Sequence, residues 1–192
     1  MKKYNKIILG AFFLGATTLL LTGCNSKKNN DEVQPAEEKA KGNCKILECI
    51  NKIQLSDNLE TINTTIGFEG ELISEENGCK KYNWALKSDE NVEASLCDSG
   101  KNSIKIIFEN DSIKNKKVDF SKFEELKEEI SNGTEVKYEK IVETFKAEGT
   151  LVEKNSSTNV YRWVNEESEF MNVSFSTVNG RCTFASGKML EK

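Results

Sequence analysis

The stretch that decides the fold runs from Tyr138 to Phe184. It opens with Tyr138-Glu139-Lys140-Ile141-Val142-Glu143-Thr144-Phe145, in which the apolar residues have the i, i+3, i+4, i+7 spacing of one helix face. Strand-forming segments follow, among them Tyr161-Arg162-Trp163 and Met171-Asn172-Val173-Ser174-Phe175, and Asn179-Gly180 turns the chain into the last of them. This pattern predicts a helix followed by a meander of short antiparallel strands.

An earlier segment of the chain has nearly the same pattern at an offset of 79 residues. Gly149 corresponds to Gly70 at this offset, and Trp163 corresponds to Trp84. The same offset relates Glu139 to Glu60, Ile141 to Ile62, Thr144 to Thr65, Glu148 to Glu69, Leu151 to Leu72, Tyr161 to Tyr82 and Ser174 to Ser95. Because the matches keep their order, we interpret the chain as a tandem repeat. Repeat one covers residues 44–110, repeat two covers residues 119–188, and residues 111–118 form a polar connector.

Each predicted unit contains two helices and a small sheet. Ser121 with Glu124 matches a capping box at the start of a helix, and Asp57 with Glu60 is an aspartate version of it. The strand segments alternate apolar and polar residues, so one face of each sheet is expected to pack against the helices. The sequence therefore predicts an α+β fold, a tandem repeat of a helix-loop-helix packed on a four-stranded antiparallel sheet.

The opposite face of the predicted sheets is polar. Its positions are Lys81, Asn83, Glu93, Ser95 and Lys105 in repeat one, and Arg162, Asn172, Ser174 and Ser176 in repeat two. These side chains are the candidates for binding a partner.

The N-terminus resembles that of bacterial lipoproteins. Basic residues precede an apolar run that ends in Leu21-Thr22-Gly23-Cys24, which is similar to a lipobox. The resemblance implies that residues 1–23 are a lipoprotein signal peptide and that Cys24 carries a lipid containing palmitate. Residues 24–43 are polar and predict a disordered tether. The expected location is the extracytoplasmic face of a Gram-positive cell membrane, and the alternatives are an uncleaved anchor helix or an ordinary signal peptide.

Composition excludes several classes of function. Removal of residues 1–23 takes away three lysines and no acid, which changes the formal net charge from −4 to −7 and disfavours nucleic acid as a partner. The chain contains no histidine, so histidine-based catalytic triads are excluded and a metal site is not expected. No phosphate-binding glycine loop is present. We therefore predict neither an enzyme nor a cofactor.

Five cysteines remain besides Cys24. Cys79 and Cys97 lie opposite each other if the hairpin between them turns at Ser88, and we predict a disulfide there. Cys44 and Cys49 are five residues apart and can be joined only if the first of them precedes the helix. Cys182 is expected to be a buried free thiol.

The order helix–helix–E-G-x-L–hairpin–Y-x-W–strand–turn–strand resembles the repeat of the β-lactamase inhibitor protein family. It is most similar to the inhibitor-like lipoproteins of low-GC Gram-positive bacteria. The matching motifs are Glu69-Gly70-Glu71-Leu72 with Tyr82-Asn83-Trp84, and Glu148-Gly149-Thr150-Leu151 with Tyr161-Arg162-Trp163. The resemblance implies a concave sheet face that grips a protein, one disulfide per hairpin, and an acidic hairpin tip inserted into the target.

The chain also departs from the family at the expected binding face. The inhibitor carries aromatic residues there, whereas Asn172, Ser174 and Ser176 are small and polar. Asp89 lies at about the place of the inserted acid, although an aspartate is also common in turns. The primary hypothesis is a non-enzymatic, lipid-anchored surface module that binds an unidentified protein. The alternatives are an envelope-assembly or scaffolding lipoprotein and, last, a carboxylate-dependent enzyme.

Overall fold

The computed structural model of the chain describes residues 42–188. The predicted signal peptide, Cys24 and the tether up to residue 41 lie outside these residues. Four α-helices, a short 3-10 helix and eight β-strands make up the described part. In chain order they are α1 (Ile46–Lys52), α2 (Leu59–Ile66), β1 (Glu71–Glu76), β2 (Cys79–Ala85), β3 (Asn91–Cys97), β4 (Ser103–Ile107), the 3-10 helix (Asn110–Ile113), α3 (Phe123–Ser131), α4 (Tyr138–Phe145), β5 (Thr150–Asn155), β6 (Thr158–Val164), β7 (Phe170–Ser176) and β8 (Cys182–Lys188).

All eight strands belong to one antiparallel sheet in the order β1 to β8. The predicted fold, a tandem repeat of helix-loop-helix units on four-stranded sheets, is wrong, because β4 pairs directly with β5. The register places Ser103 opposite Asn155, Ile104 opposite Lys154 and Lys105 opposite Glu153. Two separate sheets would leave β4 and β5 as open edges with unpaired backbone groups. Their pairing satisfies those groups and makes the sheet continuous.

The α-helices cover one face of this sheet. The apolar positions of the strands are buried there, as the alternation predicted: Trp84 and Ile104 are almost inaccessible to solvent, and so are Trp163 and Val173. Around Trp84 they pack with α1 and α2, and around Trp163 they pack with α3 and α4. The face opposite these helices carries the intervening polar residues.

Helix α1 also packs on strand β5, beyond its own group of strands. The Nζ atom of Lys154 on β5 donates hydrogen bonds to the carbonyl oxygens of Ile50 and Ile53, which lie at the C-terminal end of α1. Carbonyls at a helix C-terminus have no partner within the helix and attract a cation. Lys154 thus holds α1 over the junction between β4 and β5, and burial lowers its pKa.

The E-G-x-L and Y-x-W motifs meet in space. A Cβ atom added to Gly70 would lie 2.3 Å from the indole of Trp84, and one added to Gly149 would lie 2.5 Å from the indole of Trp163. Each tryptophan therefore rests directly on a glycine, where any side chain would collide with it. The indole N–H groups donate to Asn63 Oδ1 at 2.9 Å and to the Ala147 carbonyl at 2.8 Å.

The predicted capping boxes are wrong. Helix α3 begins at Phe123 without a side-chain cap, and the backbone N–H of Ser121, which a capping box would direct to Glu124, donates to Asp119 Oδ1 at 2.9 Å. Helix α2 is capped by Asn58, whose Oδ1 accepts from the Thr61 N–H at 2.9 Å, one residue later than predicted. The carboxylate of Asp57, the predicted cap, instead accepts from the Gln54 N–H at 2.7 Å, so both deviations involve an Asx side chain that bonds to the backbone of a neighbouring turn.

Candidate functional site

The face of the sheet without α-helices carries the predicted partner-binding residues. One row across it follows the register from Asn83 on β2 through Glu93 and Lys105 to Glu153 on β5, and continues through Val160 to Ser174 on β7. Side chains that are cross-strand partners lie on the same face, so this row is one surface. The junction of β4 with β5 lies in its middle.

Charges of opposite sign alternate at the centre of this row. The Nζ atom of Lys81 lies 2.9 Å from Glu93 Oε2. Lys105 is the cross-strand partner of Glu93 on one side and of Glu153 on the other. Facing charges of opposite sign stabilise paired strands modestly. Lys81 and Glu93 are thereby occupied with each other in the free protein.

Arg162 and Asn172 form the most organised part of the face. Trp163 beside Arg162 is buried under the helices, so Arg162 lies on the opposite face. Its Nε donates to Asn172 Oδ1 at 2.8 Å, and its Nη1 donates to Asn110 Oδ1 at 3.1 Å. Two of the residues predicted to bind a partner are thus in direct contact.

Two phenyl rings complete the surroundings of the guanidinium. Its Cζ atom lies 5.8 Å from the centroid of the Phe108 ring and 5.4 Å from that of Phe170. Cation–π contacts of this kind hold an arginine side chain in place. Burial lowers the pKa of Arg162. A guanidinium stays protonated at any ordinary pH, so the lowered pKa reports a charge that is partly removed from water.

Arg162 has no carboxylate partner within residues 42–188. The ion pairs of this part of the chain involve lysines or Arg181, and Arg162 is absent from them. Its two hydrogen bonds to described residues use Nε and Nη1, whereas a guanidinium has five N–H donors. A partly desolvated cation held by neutral amides is well placed to bind an anion from another molecule.

The other predicted residues are separate from this group. Asn83 and Ser174 are half-buried members of the polar row. Asp89 is exposed on the hairpin between β2 and β3, where the Ser88 hydroxyl donates to its Oδ1 at 3.3 Å. Within that hairpin, Lys87 pairs with Glu90 at 2.8 Å. Asp89 therefore lies in an ordinary charged turn.

Sequence reasoning did not place Asn110, Phe108 or Phe170 at the site. Asn110, the last residue of the predicted repeat one, begins the 3-10 helix that packs against β6, and the rest of this helix lies in the predicted connector. Phe108 follows β4 and reaches Arg162 from the other half of the chain. The available signal in the sequence was an aromatic residue at a strand terminus: Phe108 directly follows β4, and Phe170 is the first residue of β7.

The cysteines form two bridges. The structure joins Cys79 to Cys97, which are cross-strand partners on β2 and β3. It also joins Cys44 to Cys49, because Cys44 precedes the first residue of α1. Cys182 is free and partly buried, and burial raises its pKa to about 11. All these cysteines lie apart from Arg162.

Residues 42–188 contain neither a metal-ligand cluster nor a membrane-spanning helix. In this range no cluster of three or more acidic or cysteine side chains has the geometry to hold a metal ion. None of the helices in it is long and apolar enough to cross a membrane. Comparison with known protein families, curated proteins and solved structures finds no match to the chain.

Proposed function

We propose that the protein is a non-enzymatic, lipid-anchored module that binds a protein partner through the face of the sheet without α-helices. The observation that carries the proposal is Arg162. Its guanidinium is oriented by Asn110 and Asn172, flanked by two phenyl rings and partly desolvated without a carboxylate partner in the described chain. Arginines in such settings are frequent hot spots of protein interfaces.

The geometry also indicates the chemistry of the partner. A carboxylate from an acidic side chain would complete the charge of Arg162. The neighbouring charged residues of this face, Lys81, Glu93, Lys105 and Glu153, carry both signs, so they contribute register and selectivity more than net attraction. Lipid on Cys24 would keep this face outside the membrane at the end of a polar tether, where proteins are the accessible partners.

The test is a quantitative pull-down with immobilised residues 25–192 against membrane and secreted extracts of the source cells. The Arg162→Ala variant is expected to retain a specific partner at least about tenfold less than the wild type. Arg162→Lys restores the charge without the planar fork and should recover only part of the binding.

Arg181→Ala is the matched control, since Arg181 is exposed and paired with Glu135 away from this face. Equal retention by the wild type and by Arg162→Ala would contradict the proposed face. Circular dichroism of each variant establishes that it is folded. An envelope-assembly role would instead give envelope defects on deletion without a partner that depends on Arg162.

A further inference from the structure

The outer edge of the sheet at β1 exposes two adjacent large apolar side chains. Among residues 42–188, β2 is the only strand that pairs with β1, and β1 exposes Leu72 by 49% and Ile73 by 51%. Soluble proteins usually protect an edge strand with charges, bulges or a covering element, because an open edge can pair with another chain. Here two adjacent large apolar side chains are left at the edge.

The same local structure recurs at β5 and shows what an apolar pair such as Leu72 and Ile73 packs against. Leu151 and Val152 on β5 follow Leu72 and Ile73 by 79 residues. Leu72 faces Tyr82 and Leu151 faces Tyr161, and in both strands the register shifts immediately after the leucine. The two sites are thus alike in backbone and in side chains.

Their surroundings differ. Val152 is only 5% exposed, and Leu151 packs against the same core cluster. Strand β4 pairs along β5, and helix α1 lies above it with Ile46 and Ile50 buried. At β5 the apolar pair Leu151 and Val152 is therefore covered by a neighbouring strand, β4, and by the apolar face of a helix, α1.

The charge at the uncovered site differs as well. Position 154 on β5 is the lysine that donates to the end of α1, whereas the corresponding residue on β1 is Glu75. Glu71 and Glu76 are exposed on the same strand, so β1 has three acids and no base. Glu75 is paired with Lys80 of β2 at 3.8 Å, whereas Glu71 and Glu76 have no ion pair within residues 42–188. A strand that brings positive charge would complement these two acids.

A second copy of the chain does not meet this requirement. Its other free edge is β8, over which α3 packs. The α3 residues that correspond to Ile46, Cys49 and Ile50 of α1 are Glu125, Glu128 and Glu129. Glu125 and Glu128 would face the acids of β1 with like charge, whereas Glu129 is already paired with Lys140. Antiparallel pairing of β1 with its own copy would likewise place three acids on each of two neighbouring strands, with no base on either strand.

We infer that the β1 edge is a docking site for a basic strand of a partner protein, which adds to the sheet beside β1 while an apolar face of the partner covers Leu72 and Ile73. Backbone hydrogen bonds of β1 would supply affinity in this mode, and the acids would supply selectivity. This surface is separate from the Arg162 site and does not depend on it.

The test uses the lipid-free chain, residues 25–192, labelled with ¹⁵N. The probe is a synthetic peptide that copies residues 101–107, Lys-Asn-Ser-Ile-Lys-Ile-Ile, because this segment includes the strand that covers β5. Amide resonances of residues 71–76 are expected to shift, and their hydrogen exchange should slow. A peptide with both lysines replaced by glutamate should bind about tenfold more weakly.

Variants of the exposed edge give the complementary test. Ile73→Lys is expected to abolish the shifts without unfolding the protein, since the side chain is half-exposed. Val178→Lys is the matched control, because Val178 is 89% exposed in the turn before β8. It should bind the peptide like the wild type.

Three results would overturn the inference. The first is the absence of shifts at residues 71–76 with millimolar basic peptide. The second is equal binding of the glutamate peptide, which would remove the charge argument. The third is concentration-dependent self-association in sedimentation that Ile73→Lys abolishes, which would assign the edge to a second copy.

Discussion

Replacement of Gly149 by alanine tests the contact between glycine and tryptophan most directly. The added Cβ atom would lie 2.5 Å from Trp163 Cζ2 and 2.7 Å from both Cε2 and Cη2. Gly149 does not have the positive φ that favours glycine, so the cost is steric rather than conformational. Either the indole or the backbone of residue 149 has to move by about 1 Å to restore ordinary contact.

The surroundings of Trp163 resist that movement. Its ring is 1% exposed and lies 5.8 Å, centroid to centroid, from Phe145 and 5.9 Å from Tyr138. Its Nε1–H is fixed by the Ala147 carbonyl at 2.8 Å. We therefore place the cost near the upper end of overpacking, about 3 kcal/mol. For a domain of this size the midpoint of thermal unfolding should fall by about 6–12 °C.

The assay is urea and thermal unfolding followed by tryptophan fluorescence and circular dichroism. Trp163→Phe is the partner in a double-mutant cycle, because a phenyl ring lacks the outer atoms that the new methyl meets. Gly149→Ala should cost much less in that background, under about 1 kcal/mol, and the two changes should be strongly non-additive. An equal cost of Gly149→Ala in both backgrounds would refute the steric explanation.

Three further predictions concern single groups. Lys146 and the Ser121 N–H hold the pKa of Asp119 well below its ordinary value of 3.8, so ionised Asp119 stabilises the fold fully above pH 3.8 and progressively less as the pH falls below it. The difference in unfolding free energy between the wild type and Asp119→Asn should therefore shrink in acid. A constant difference in urea titrations from pH 6 to pH 2.5 would contradict this. Burial raises the pKa of Cys182 to about 11, so a chromogenic disulfide reagent at pH 8 should react slowly with the native protein and rapidly after unfolding. Replacement of both Cys79 and Cys97 by alanine should cost about 3 kcal/mol in urea unfolding, because their bridge closes a loop between residues 18 apart; a loss below about 1 kcal/mol would contradict this entropic account.

The elements themselves were largely predictable from local patterns. Alternation identified the buried strand positions, so that Trp84, Val92 and Ile104 lie in the core as expected. Helical spacing likewise identified Ile141 and Phe145. These assignments depend only on periodicities of two and 3.6 residues, which a single strand or helix imposes on its own sequence.

The joining of the strands into one sheet was not predictable in this way. A correspondence at 79 residues shows that two segments are alike, and it contains no information on whether they contact each other. The pairing of β4 with β5 is a long-range contact that consists of three cross-strand residue pairs, over which α1 packs. The prediction of four-stranded sheets failed at this step.

The setting of Arg162 was unpredictable for a related reason. Its position on the polar face follows from alternation with Trp163. The groups that make it distinctive come from distant parts of the chain: Asn110 is 52 residues away, and Phe108 belongs to the other half. A site assembled across a junction leaves no spacing in the sequence by which it could be recognised.

The informative positions are those at which the two corresponding segments differ. Lys154 stands where the first segment has Glu75, and the buried Ile46 and Ile50 of α1 stand where α3 has Glu125 and Glu129. Each difference adapts one segment to the internal junction, through a cation for the end of α1 or an apolar surface for β5. The acids Glu75 on β1 and Glu125 and Glu129 on α3 disfavour an equivalent pairing of strands between two molecules. Like charge at these positions opposes extension of the sheet by a second copy of this chain, which supports the proposal that the β1 edge takes a different, basic partner.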